Sequence, residues 1–149
     1  MKTDSPQALD RFISGLVKIA KPGSLLSRYQ LGFGLVYRQF KKLKARIKTV
    51  NLPVSGFRED LHAHGQGGEM FRHLYWHMGC SLMGWLGGAI SWATHRMDVK
   101  QMESGRAEST SEVLDNLAGR ACGRALRSYL KGKLNETQLR DELRRILSS

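Results

Sequence analysis

The chain is short of the residues that staple, break or anchor a fold. It has two cysteines, Cys80 and Cys122, in 149 residues, with no Cys-x-x-Cys pair and no Cys/His ligand spacing around them. Both sit inside apolar helical patterns, so they read as buried free thiols rather than as a disulfide or a thiolate metal site. Proline is equally scarce: Pro6, Pro22 and Pro53 are the only three. Each stands where a helix can begin or end, which leaves the long stretches between them free to be helical. Long hydrophobic runs are missing too. The richest, residues 78–93, is 16 residues long and holds four glycines and two serines; a spanning helix needs about 20 predominantly apolar residues. The first ten residues are polar, so no secretory leader is expected. The compartment stays open, because a domain delivered by a specialised route carries no such leader.

Negative charge is the last shortage. Lys and Arg number 24 against 13 Asp and Glu, a net charge of +11. The excess is uneven, +8 over residues 1–66 and +3 over residues 67–149. A basic N-terminal half implies an anionic counterpart: nucleic acid, an anionic membrane surface or an acidic protein partner, a cognate immunity protein included.

What is present is a globular composition, 41% hydrophobic and 25% charged, in a length that suits one domain with a core of its own. The periodicity is helical. Ser5 and Pro6 suit the start of a helix over 5–20, with Leu9, Phe12, Ile13, Leu16 and Ile19 on one face. Ser24 suits the start of a second over 25–49, where Tyr29, Phe33, Val36, Phe40, Leu43 and Ile47 form an expected core stripe. Its other face carries Arg38, Lys41, Lys42, Lys44, Arg46 and Lys48, a solvated basic face or a dock for phosphates or lipid. Residues 69–86 read as a third helix and 89–96 as a short fourth, with 97–110 as a loop. A further helix covers 111–130 and is ended by Gly132, and a last one is capped by Asn135 with Gln138 as its capping-box partner. The expectation is an all-α bundle of five to six helices with a hairpin near Gly84-Gly88. Residues 1–50 form its basic N-terminal part, 51–67 a connector and 68–149 the core, all within one domain.

Chemistry-bearing residues concentrate in three segments: Phe71-Arg72-His73-Leu74-Tyr75-Trp76, Ala93-Thr94-His95, and Asp115-Asn116-Leu117-Ala118-Gly119-Arg120. On one straight helix His73 and His95 would stand about 33 Å apart, so a shared site requires the hairpin. Gly119 and Gly123 remove side chains one turn apart and allow a close approach. A histidine near neutral pKa moves protons, arginines hold anions bidentately, and Asp or Asn fixes an imidazole. The same residues also serve as internal ties between helices. His62-Ala63-His64 offers two imidazoles and no third ligand, so no metal and no cofactor are expected.

In this order and spacing the three segments resemble a family of bacterial helical domains at the C-terminal tips of polymorphic toxins and in wall-associated and phage-linked proteins. Its pattern is Arg-His followed by aromatic and Trp positions, then Ala-x-x-His, then Asp/Asn-Asn-x-x-Gly-Arg. Arg72, His73, Tyr75 and Trp76, then Ala93 and His95, then Asp115, Asn116, Gly119 and Arg120 stand in those places, over roughly residues 66–130. The family commonly has an acid after the second histidine, where this chain has Arg96. The resemblance implies a toxin-like or effector-like enzymatic role and supplies no substrate; with the residue set and the positive charge, the expectation is an antibacterial hydrolase acting on an anionic substrate: nucleic acid, phospholipid or a cell-envelope component. His73, His95, Asp115 and Asn116 would be catalytic, with His73 as the proton-transfer residue, and Arg72, Arg120 and Trp76 would bind substrate. The alternative is a non-enzymatic basic domain in which these residues are structural.

Overall fold

The computed structural model describes residues 7–22, 25–38, 52–63, 67–105 and 109–148. Ser5, Pro6, Ser24, His64 and the cations from Lys41 to Lys48 lie outside the described residues. Among the described residues the chain is all-α, with six α-helices: α1 (Ala8–Ile19), α2 (Leu25–Arg38), α3 (Gly67–Leu82), α4 (Gly84–Glu103), α5 (Ser109–Leu130) and α6 (Glu136–Leu147). Among the described residues between α2 and α3 stands a 3-10 turn, Glu59–Leu61.

The apolar faces meet in one core. Leu9 and Ile13 of α1, Leu35 of α2, Leu74, Met78 and Leu82 of α3, Leu126 of α5, and Leu139, Leu143 and Leu147 of α6 are all buried within it. Phe12, Phe57 and Phe71 add an aromatic cluster with ring centroids 5.5–5.6 Å apart. Cys80 and Cys122 are free and buried, and burial pushes their thiols up to about 11 and about 12.

The ends of the helices are tied locally and across the chain. The Ala8 N–H donates to Ser55 Oγ at 2.8 Å and the Leu9 N–H to the Ser55 carbonyl at 3.0 Å, so α1 takes its described cap from a residue 47 positions away. Arg58 Nη1 donates to the Ile146 carbonyl at 3.0 Å, which holds the end of α6. Asn135 and Gln138 form the expected capping box, and Gly132, with φ of 77°, closes α5.

Two expectations need correction. On α2 the buried side is Leu31, Gly32 and Leu35, while Phe33 is 65% exposed. The cause is a glycine contact: a Cβ on Gly32 would lie 2.8 Å from the Gly79 carbonyl, and one on Gly79 would lie 2.7 Å from the Gly32 carbonyl. Backbones that close fix which face of α2 meets α3, and Phe33 falls outside it. The second correction concerns α4, which runs unbroken from Gly84 to Glu103 where a short helix over 89–96 and a loop over 97–110 were expected. The reversal itself falls where the glycines indicate. Gly84 has φ of 76°, and a Cβ on Gly87 would lie 2.2 Å from the Cys80 carbonyl, so α4 folds back tightly along α3.

Candidate functional site

The hairpin brings three helices to one polar seam. The α3 helix contributes Glu69, His73 and His77, one turn apart on one face; α4 contributes Ser91, His95 and Asp98; α5 contributes Glu112, Asn116 and Arg120. His73, His77, Ser91, His95 and Asn116 are all buried. The approach of α3 to α5 depends on the glycines singled out from the sequence. A Cβ on Gly119 would meet the Leu74 carbonyl and His77 Cβ at 3.0 Å, and one on Gly123 would meet Ser81 Cβ at 2.7 Å.

Asn116 is the hub. Its Oδ1 lies 2.6 Å from His73 Nδ1, and its Nδ2 donates to Asp98 Oδ2 at 2.7 Å and reaches His95 Nδ1 at 3.4 Å. Both the oxygen and the amino group of this amide are thus engaged. The pattern assigns the protons. His73 donates through Nδ1–H, and its Nε2 lone pair faces Arg72 Nη2 at 3.3 Å. His95 accepts at Nδ1. Ser91 Oγ accepts from Arg120 Nη1 at 2.8 Å and stands 2.7 Å from His77 Nδ1. The serine hydroxyl thus ties His77 to Arg120.

Burial, reinforced by the neighbouring His73, lowers His77 to about 3, so this imidazole is neutral throughout the physiological range. His95 is lowered by burial and then by Arg120. Glu112 is raised by burial despite the opposing influence of His73.

An open pocket of about 270 Å³ reaches the seam, lined by Arg72, His73, Trp76, His77, Thr94, Met97 and Asp98. Trp76 Nε1 donates to Thr94 Oγ1 at 3.2 Å, closing one wall. Arg72 Nη2 stands 3.4 Å from Glu69 Oε2, which places a guanidinium at the rim. His73, His77 and Asp98 each offer one metal-ligating atom, all within 4.8 Å of one another, and Glu69, His73 and Glu112 form a second such group.

Of the residues expected to form a site, Arg72, His73 and Trp76 line the pocket, while His95 and Asn116 are hydrogen-bonded just behind it. Arg120 is held at Ser91 and lies 5.3 Å over the Trp92 ring; it supports the seam from outside the pocket lining. Asp115 does not line the pocket: it is 2% exposed and is influenced by Glu112 and Glu69 of the seam on one side and by Asp60 and Arg58, near the 3-10 turn, on the other. The helix carries its side chain about 100° away from that of Asn116. His77, Asp98 and Ser91 were not among the expected site residues. His77 had a signal, its four-residue step from His73; Asp98 fell in the stretch read as a loop. Arg96, in the place of the family's acid, is exposed, and the carboxylate that reaches the seam belongs to Asp98, two residues further on.

Comparison with protein-family models, with curated proteins and with solved structures finds no match for this chain.

Proposed function

We propose that the pocket is the working site of an effector-like or toxin-like hydrolase that acts on an anionic substrate. The observation that carries this reading is the convergence of Arg72, His73, His77 and Asp98 on one open pocket, backed by a buried network whose protons are fixed by a single amide. Burying five polar side chains costs stability unless every hydrogen bond is made. The apolar core is built from other side chains, on α1, α2, α3, α5 and α6. A seam of this kind is accounted for more readily by chemistry than by folding.

The division of work follows from position. Arg72, at the rim, takes the anionic group and stabilises charge that develops there. The reacting atom, a phosphoryl or acyl centre, sits over His73, His77 and Asp98, where water is activated for attack. His77 is too weak a base to hold a proton near neutrality, so it acts through its lone pair and its hydrogen bonds. Asn116 is a positioning residue that fixes the ring of His73 and reaches that of His95, while Ser91 holds His77. Trp76 offers an aromatic wall to the substrate. The basic N-terminal half raises the local concentration of an anionic target. The resemblance to toxin-tip domains supports the same class of activity.

The test is growth of a bacterial host that expresses the chain or its His73→Ala variant, each directed to the cytoplasm or to the periplasm. Toxicity confined to the unmodified chain, with the variant folded by circular dichroism, is the expected result, and the compartment in which it appears identifies where the target lies. Equal toxicity from both chains, or none in either compartment, turns the reading to the non-enzymatic basic domain.

A further inference from the structure

We propose that His73, His77 and Asp98 bind a divalent transition-metal ion of the zinc class at the floor of the pocket. The inference rests on reading this pocket as the working site. It adds the means by which water is activated there.

Two candidate ligand groups share His73, and the structure separates them. In the group of Glu69, His73 and Glu112 the cationic place is filled, because Arg72 Nη2 stands 3.3 Å from His73 Nε2 and 3.4 Å from Glu69 Oε2. In the other group all three members line the open pocket. Its donors lie within 4.8 Å of one another, and His73 Nδ1 is 3.8 Å from Asp98 Oδ2. Ligands on one tetrahedral zinc-class ion lie about 3.4 Å apart, given bond lengths of about 2.0–2.2 Å. The closure required is within reach of side-chain rotation. Two imidazoles and one carboxylate, with the fourth position open to solvent, make the composition of a catalytic rather than a structural site.

The surroundings supply what metal-bound imidazoles require. A ligating histidine passes its other N–H to an acceptor that fixes the ring. Coordination at His73 Nδ1 moves the ring proton to Nε2, where Glu69 Oε2 lies 3.7 Å away, and Arg72 Nη2, which faces that nitrogen at 3.3 Å, then turns its N–H to Glu69 alone. His77 has Nδ1 at 2.7 Å from Ser91 Oγ, so coordination at its other nitrogen leaves Nδ1–H to donate to that hydroxyl. The Asn116 Oδ1, which now lies 2.6 Å from His73 Nδ1, becomes a neutral oxygen donor beside the ion. An ion held there lowers the pKa of a bound water and supplies the nucleophile that the proposed reaction needs.

The experiment is calorimetric titration of the full chain with Zn²⁺, and with Co²⁺ followed by visible absorption. One ion per chain is expected, with Co²⁺ bands of four- or five-coordinate geometry. Asp98→Asn, at the half-buried edge of the seam, keeps the fold and weakens binding at least tenfold, as does His77→Ala where its melting remains cooperative. Ser91→Ala weakens it less. His62→Ala, outside the pocket, leaves it unchanged. Binding absent in the unmodified chain, or retained in Asp98→Asn but lost in His62→Ala, overturns the proposal. Ion binding without toxicity sinks the hydrolase and leaves the site standing; toxicity that needs His73 in a chain that binds no ion does the reverse.

Discussion

Asp115 and Asn116 are neighbours in sequence with opposite fates. Asn116 is hydrogen-bonded through both its oxygen and its amino group. Asp115 is just as buried, and its Oδ1 has no hydrogen-bond partner among the described residues. Burial, and then repulsion by Glu112 and Asp60, push its carboxyl up to about 9. The folded chain therefore keeps this proton from about pH 3.8 to about pH 9, while the unfolded chain releases it above about pH 3.8. Because the folded state binds the extra proton, stability falls as pH rises across that window, by up to about 1.4 kcal/mol per pH unit from this group. Asp115→Asn removes the titration. The expected outcome is a variant whose melting temperature exceeds that of the unmodified chain by a margin that widens from pH 4 to pH 9; a constant margin overturns the assignment. Sequence reasoning grouped Asp115 with Asn116 because both are site-like residue types, and adjacency hid the 100° between them. It found His73 and Asn116 by residue type and the glycines by their spacing. It missed the tie between them, which depends on three helices that one strand of text does not align.

Helix α4 shows why that alignment was hard to read. Its buried positions are Gly87, Ser91 and His95, a four-residue stripe of small and polar residues. Its exposed positions include Trp85 at 84%, Leu86, Ile90 and Met97. Apolar periodicity marks the buried face of an ordinary helix; here the large apolar side chains face outward and the polar stripe faces the seam. A reader looking for an apolar stripe sees a weak short helix and a loop, although Gly87-x3-Ser91-x3-His95 carries the same period. Where the buried face follows the rule, as in α6 and, apart from the exposed Ile19 at its last turn, in α1, the sequence reading and the structure agree. The same physics makes the glycines unequal. A Cβ on Gly119 meets the Leu74 carbonyl and His77 Cβ, whereas one on Gly88 meets nothing within 4 Å. Alanine gains about 1 kcal/mol over glycine in a helix interior, and forced overpacking costs about 1–3 kcal/mol. Gly88→Ala is thus expected to raise the urea midpoint or leave it unchanged. Gly119→Ala is expected to lose about 1–2 kcal/mol, because the backbone it strikes cannot rotate away, and to displace His77 and so weaken function beyond the stability loss.

At the scale of the whole molecule, charge and chemistry are set apart along the chain. The excess of positive charge is +8 over residues 1–66 and +3 over residues 67–149, whereas the pocket is built wholly from α3 and α4. No described helix is long and apolar enough to cross a membrane, and the positive excess is the feature of this sequence that attracts an anionic surface. Forces of the two kinds respond differently to salt. Attraction between separated charges is screened over about 10 Å at 0.1 M ionic strength, while contacts inside a pocket are much less affected. If the basic half gathers the substrate and the pocket transforms it, kcat/KM falls steeply with added salt and kcat holds. Replacing Lys41, Lys42, Lys44 and Lys48 by glutamine is then expected to lower kcat/KM in dilute buffer, flatten its salt dependence and spare kcat. Steady-state kinetics at several salt concentrations, on the substrate found in the compartment that the growth assay identifies, decides the matter. A salt-dependent kcat with an unchanged kcat/KM slope in the lysine variant would place the working charges in the pocket, with Arg72 carrying the recognition alone.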